Sequence, residues 1–228
     1  MSSFNFNGSF TVVNGQFNDS EPNRQIDEIK SADFKNIESL IIVSNVANVN
    51  VYADSSVERL EAHLHGMASK DVKLHMETDG STLRIEENSA VNFCIKELKL
   101  DIKVPKKNLK SINLNSISGD LMIVDLSCDD INVMSTSGNL EVAGYFSDMC
   151  INTISGDISM YVNAKGYLEG RIFTLSGDIT LQLINVAFID FYAKSLNGDV
   201  RNHRQSIDRD GHNARLDVLT GNGDITIS

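Results

Sequence analysis

The stretch "TISGDISM", residues 153–160, is written several times over in this chain. "SISGDLMI" begins at Ser116, "STSGNLEV" at Ser135 and "TLSGDITL" at Thr174, and the looser "SLNGDVRN" and "TGNGDITI" begin at Ser195 and Thr220. Aligned on Gly119, Gly138, Gly156, Gly177, Gly198 and Gly223, the copies are 18 to 25 residues apart. Three residues before each Gly stands Ser or Thr, and one after it stands Asp or, once, Asn139. Apolar residues follow at two and four after the Gly, as in Ile158 and Met160, and precede it in pairs such as Met149 and Ile151. Only the fifth copy breaks this pattern, with Val200 followed by Asn202. A period of two is a strand period and not a helical one. Each unit reads as strand, tight turn, strand, loop, and is too short to bury its own apolar face, so the units must stack.

The expected fold is therefore all-β: a right-handed parallel β-solenoid with coils of about 20 residues and an irregular N-terminal cap. Gly supplies the corner. Ser and Asp bond to the turn's own backbone, and the Ser/Thr row is expected to bond to its copies above and below. The chain is read as a single domain of 228 residues. Residues 1–38 form the cap, 39–110 irregular opening turns, and 111–228 the regular Ser-Gly-Asp repeats. Hairpin turns are expected at Asp79-Gly80 and at Asn7-Gly8, and "NRQIDEIKSADF" (residues 23–34) reads as a short helix through Ile26, Ile29 and Phe34.

Hydrophobic residues make up 41% of the chain and charged ones 22%, a globular balance. The net charge of −11 argues against a nucleic-acid partner and against an anionic membrane surface. The basic stretch "KELKLDIKVPKKNLK" (residues 96–110) alternates like a strand with one wet face. The three cysteines, Cys94, Cys128 and Cys150, are irregularly spaced and imply no disulfide framework or zinc site. The N-terminus lacks the charged and apolar regions of a signal peptide, and no apolar run is long enough to insert into a bilayer, so the sequence as written reads as cytoplasmic.

The sharpest candidate for chemistry is the Asp row: Asp120, Asp157, Asp178, Asp199 and Asp224, which Asn139 interrupts. Stacked carboxylates repel, and a cation such as Ca²⁺ on Asp157, Asp178 and Asp199 would relieve that. Paired acids on a solenoid face also serve glycoside hydrolysis. The plainer reading, a row of solvated turn-capping residues, fits the sparse repeats better. His63, His65 and His75 are a weaker metal candidate. His203 and His212 lie in the polar stretch 201–215, which lengthens the last step and reads as a loop. The aromatics Tyr145, Phe146, Tyr161, Tyr167, Phe173, Phe188, Phe191 and Tyr192 crowd the second half, as core filling or as a sugar platform. No catalytic residue, cofactor-binding residue or cofactor is assigned.

The strand ending "LKLDIKVPKKNLK", the "SISGDLMIVDL" directly after it and the run of Ser-Gly-Asp units to "TGNGDITIS" together resemble the bacterial "putative adhesin" family, a domain of unknown function with β-strand repeats. The likeness runs from about Leu40 onward. It implies a single right-handed β-solenoid, placement at the cell envelope or cell surface, and no catalytic residues to carry over. The expected function is a non-enzymatic protein that binds or adheres to a protein or glycan. The alternatives are a carbohydrate-active enzyme acting on a solenoid face, and a cytosolic scaffold or sensor.

Overall fold

In the computed structural model, residues 24–68, 72–88, 95–186, 189–204 and 214–228 are described. They are all-β, with no helix among them. An irregular opening comprises β1 (Arg24–Asp33), β2 (Ser39–Ser44), β3 (Asn48–Asp54), β4 (Arg59–Ala68), β5 (Lys73–Asp79), β6 (Thr82–Asn88) and β7 (Ile95–Pro105). The repeats occupy β8 (Asn108–Ser116), β9 (Leu121–Ser137), β10 (Leu140–Ser155), β11 (Ile158–Ser176) and β12 (Ile179–Ile184). They continue in β13 (Ile189–Asn197), β14 (Val200–Asn202), β15 (Ala214–Asn222) and β16 (Ile225–Ile227).

The sheet is open and solenoid-like. The long strands β9, β10 and β11 each serve two faces. Their first halves pair in parallel along the order β3-β9-β10-β11-β12-β16-β14, and their second halves along β2-β8-β9-β10-β11-β15-β13. Register breaks near Gly144 and between Phe146 and Asp148, with Asp125 at φ 58°, mark where the chain swings from one face to the other. Alternation then follows from the pleat. Val51, Ile123, Val142, Met160, Leu181 and Ile227 are in register along one face, and Ile42, Leu114, Val133, Ile151, Ile172 and Val218 along the other. All twelve belong to one buried core. Each Ser-Gly-Asp corner carries the chain across the edge between the two faces.

The stacking order is not the chain order. β15 lies between β11 and β13, and β16 lies between β12 and β14. Among the described residues the fifth repeat, β13–β14, is therefore the end of the stack, and the sixth is an inner rung. This explains the broken pattern at Asn202. An end rung buries less, and Val200 is 42% exposed where its inner counterpart Ile225 is fully buried.

The opening third mixes hands of pairing. β6 and β7 stack in parallel on β2 and β3, but β1 pairs antiparallel with β4, β4 with β7, and β5 with β6. The β5–β6 hairpin turns at Gly80, φ 58°, where the Asp79-Gly80 signal put it. The helix expected over residues 23–34 is corrected: residues 24–33 are the edge strand β1. Ile26 is buried but Ile29 is 67% exposed, because side chains alternate between faces in a strand. Backbone bonding to β4 overrides a helical spacing built on two isoleucines and a Phe34 that lies beyond the strand. The Asn7-Gly8 turn, Cys94, Phe188 and His212 lie outside the described residues.

Candidate binding surface

The corners come first, since the Ser-Gly-Asp residues were the candidates. The corner glycines stack directly on one another. A Cβ on Gly156 would sit 2.1 Å from the Gly138 carbonyl oxygen, and one on Gly177 would sit 2.1 Å from that of Gly156. Close approach of backbone to backbone, with φ of +136° at Gly156, leaves glycine alone at this place.

The Ser/Thr three before every corner Gly but Gly198 form a buried column: Ser116, Ser135, Thr153, Thr174 and Thr220. Their hydroxyls do not bond to one another as expected. They donate to corner carbonyls, Thr153 to Ser155 O at 3.3 Å, Thr174 to Gly156 O at 3.3 Å and Thr220 to Gly177 O at 3.0 Å. A carbonyl turned inward at a bend needs a donor, and that need decides the partner. The top of this column holds a residue that no motif in the sequence marks. Glu87, in register with Ser44, is 1% exposed, and its Oε2 accepts the N–H groups of Asn45 and Val46 at 2.8 and 2.9 Å and the Ser44 hydroxyl at 3.2 Å.

The Asp row forms a ladder. The amide of Asp120 donates to Asn48 Oδ1 at 2.9 Å, that of Asn139 to Asp120 at 2.8 Å and that of Asp157 to Asn139 at 3.1 Å. Asp178 then donates to Asp157 at 2.9 Å, Asp224 to Asp178 at 2.7 Å and Asp199 to Asp224 at 2.9 Å. Asp157 and Asp178 are neighbours, but Asp199 is separated from Asp178 by Asp224, so the candidate trio is not three consecutive rungs. The carboxylates of Asp120, Asp157, Asp178 and Asp224 each spend one oxygen on the main chain of the next rung. Asn48 begins the ladder without any Gly to betray it in the sequence. Beside this row runs an open groove of about 490 Å³, lined by Asn48, Lys99, Asp120, Glu141, Asp157 and Ser159 among others.

The histidines do not converge. His63 Nε2 lies 2.7 Å from Asp27 Oδ1, and His65 Nε2 lies 2.8 Å from Asp101 Oδ2, with the two rings 4.5 Å apart. His75 is on β5, beside Glu77 at 3.7 Å. Among the described residues no three His, Cys, Asp or Glu side chains are grouped to hold a metal ion. Burial pushes the Asp101 carboxyl up, but hydrogen bonds from Asn50, at 2.6 Å, and His65 outweigh it, and the group is held below its ordinary value. Of the lysines of 96–110, Lys110 pairs with Glu38 at 2.7 Å, and Lys107 lies over the Phe34 ring at 4.4 Å while donating to Phe34 O. Burial lowers the Lys107 ammonium.

The exposed aromatics do not form one platform. Tyr161 is in register with Ala143 and Gln182, Tyr192 with Asp217, and Phe173 with Asn152 and Leu219, so none lies opposite another aromatic. Phe146 is buried. A different feature emerges at the residue two before each Gly, which sequence reasoning passed over. Ile117, Ile154, Leu175 and Leu196 are 50 to 69% exposed and rise along the stack, with Thr136 and Gly221 completing the column. Met134 and Phe173 flank it on the same outer face. The signal was present in the repeats themselves, as an apolar residue between two small polar ones. Exposed apolar side chains grouped in this way, with Ile154 and Leu175 on adjacent rungs, mark interaction sites.

A model of the Toastrack DUF4097 family matches residues 37–228. No curated protein matches the chain. Among solved structures, a "putative cell adhesion protein" from Clostridium sporogenes is similar at a TM-score of 0.54 and 12% identity, over 90% of this chain and 99% of that one. A "putative adhesin" from Bacteroides fragilis is similar at a TM-score of 0.47 and 14% identity, over 91% of this chain and 99% of that one.

Proposed function

The chain belongs to the Toastrack DUF4097 family, and from that premise we propose that it is a non-enzymatic binding protein of the adhesion type that works at the bacterial cell envelope. The observation that carries this reading is the apolar ridge of Ile117, Ile154, Leu175 and Leu196, solvent-exposed on a rigid stack. The ridge runs beside the Asp row, so the surface it fits is apolar with a basic rim, as a protein partner offers more readily than a glycan. The names of the structural relatives agree with adhesion. The reading without catalysis draws support from the ladder, since the carboxylates of Asp120, Asp157, Asp178 and Asp224 each hold a neighbouring amide. We assign the coil a right-handed winding of about 20 residues, the hand that parallel crossovers take in almost all proteins.

Beads coated with the protein and incubated with fractionated bacterial envelopes test the reading. Retention should be strong and should fall several-fold for an Ile154→Asp, Leu175→Asp double variant. Equal retention by the two proteins would remove the ridge as the contact surface. Release of reducing sugar from a polysaccharide panel would replace adhesion with hydrolysis.

A further inference from the structure

A second groove, of about 580 Å³, opens at the other end of β8 from the Ser-Gly-Asp corners. It lies where the loop after β1 meets the turn between β7 and β8, and Lys35, Asn36, Glu38, Lys107, Lys110 and Asp129 line it among others. The nine residues of β8, Asn108–Ser116, separate it from the corner at Gly119. At 3.3 Å per residue the eight steps come to about 26 Å. Exposed charges that far apart are largely screened from one another, since the Debye length is ~10 Å at 0.1 M salt. The net charge of −11 therefore does not describe this groove, and its own side chains decide what it attracts.

Those side chains do not balance. Lys110 Nζ lies 2.7 Å from Glu38 Oε2. Lys165, two rungs along on β11, reaches Asp129 Oδ1 at 3.3 Å. Both carboxylates are thereby matched. Lys35 and Lys107 are left over, and among the described residues neither forms an ion pair. Lys107 Nζ donates to Phe34 O at 2.8 Å and lies 4.4 Å from the centre of the Phe34 ring. A carbonyl dipole and a ring face hold an ammonium in place but bring no net charge. Burial lowers the Lys107 ammonium, and the charge of Glu38 opposes this only in part. A partly buried cation without a full counter-charge favours an anion beside it.

We propose that this groove binds a phosphate group, held by Lys35 and Lys107 with Lys110 beside them. A phosphate monoester carries about −1.5 to −2 at pH 7, which matches the two unbalanced ammoniums. Lysine binds phosphate as a point charge and needs no fixed fork. A carboxylate would answer only one of the two. A long polyanion would answer both but would run on over the surface of a chain that is acidic as a whole. The ligand is therefore small: free phosphate, or a monoester whose phosphate enters the groove. The site is separate from the apolar ridge and does not depend on it.

Titration of the isotope-labelled full chain with inorganic phosphate, followed by NMR at constant pH and ionic strength, tests this. Saturable shifts should appear at the amides of residues 35–38 and 107–110, and not at those of Asp157 and Asp178. Lys35→Gln should weaken binding about fivefold, as the loss of one exposed ion pair allows. Lys99→Gln, which removes a lysine beside the other groove, should bind phosphate like wild type, and so should the Ile154→Asp, Leu175→Asp double variant. Glycerol phosphate that binds more tightly than inorganic phosphate assigns the site to an ester, and equal binding assigns it to the free ion. Shifts that never saturate, shifts spread over the whole surface, or a Lys35→Gln protein that binds like wild type would each overturn the proposal.

Discussion

At the scale of the residue, Asp157 shows what the repeat is for. Its carboxylate accepts the Asp178 amide at 2.9 Å while its own amide reaches Asn139 at 3.1 Å. The side chain thus does between rungs what an N-cap does at a helix end, supplying an acceptor to an amide that the regular pattern leaves over. Replacing it with Ala should cost about 1–2 kcal/mol in urea denaturation. Asp157→Asn should cost much less, since Asn139 already fills a place in the same ladder. An equal loss in both variants would mean that charge matters and not the acceptor. The sequence displayed these residues and their phase but not the partner. The donor belongs to whichever rung stacks next, and stacking is a property of the assembled fold. Asn48 and Glu87 were invisible for a related reason: their places are defined by register with Asp120 and Ser44, not by any motif of their own.

At the scale of the element, period-two alternation carried almost everything. It marked the strands, and the glycines marked the corners that join them. Gly156→Ala tests the close-approach argument, because the added Cβ would meet the Gly138 carbonyl oxygen at 2.1 Å at a φ of +136°. Thermal and chemical denaturation should show a loss of roughly 2–4 kcal/mol. Gly80→Ala is the control: φ is +58° but nothing lies within 4 Å, and the loss should stay near ~1 kcal/mol. Similar losses at the two positions would assign the requirement to φ alone. Alternation misled only at β1, where Ile26 and Ile29 spaced by three imitate a helix. An edge strand with one paired side needs few apolar residues, so its pattern is thin and easily misread. The ridge of Ile154 and Leu175 was legible in principle but falls on the outer face, where a reading aimed at the core does not look.

At the scale of the whole molecule, a net charge of −11 is combined with a row in which Asp157 and Asp178 occupy adjacent rungs. Neighbouring strands lie about 4.8 Å apart, well inside the Debye length of ~10 Å at 0.1 M salt. Sodium chloride should therefore raise the melting temperature as it screens this repulsion, measured by differential scanning fluorimetry at constant pH. A melting temperature that falls with salt would show that attractive pairs such as Lys110–Glu38 outweigh the row. Composition and repeats made the stack itself legible, but not the order of its last rungs, because β13–β14 and β15–β16 carry nearly the same motif. That order has a consequence in time. During synthesis β13–β14 leaves the ribosome first, yet the place against β11 and β12 belongs to β15–β16. The earlier segment must either wait or dock there provisionally and be displaced. Its look-alike corner makes it a competent temporary occupant, and on that second route the fold would be completed by insertion, the later strand prising apart a pairing that its predecessor had already begun.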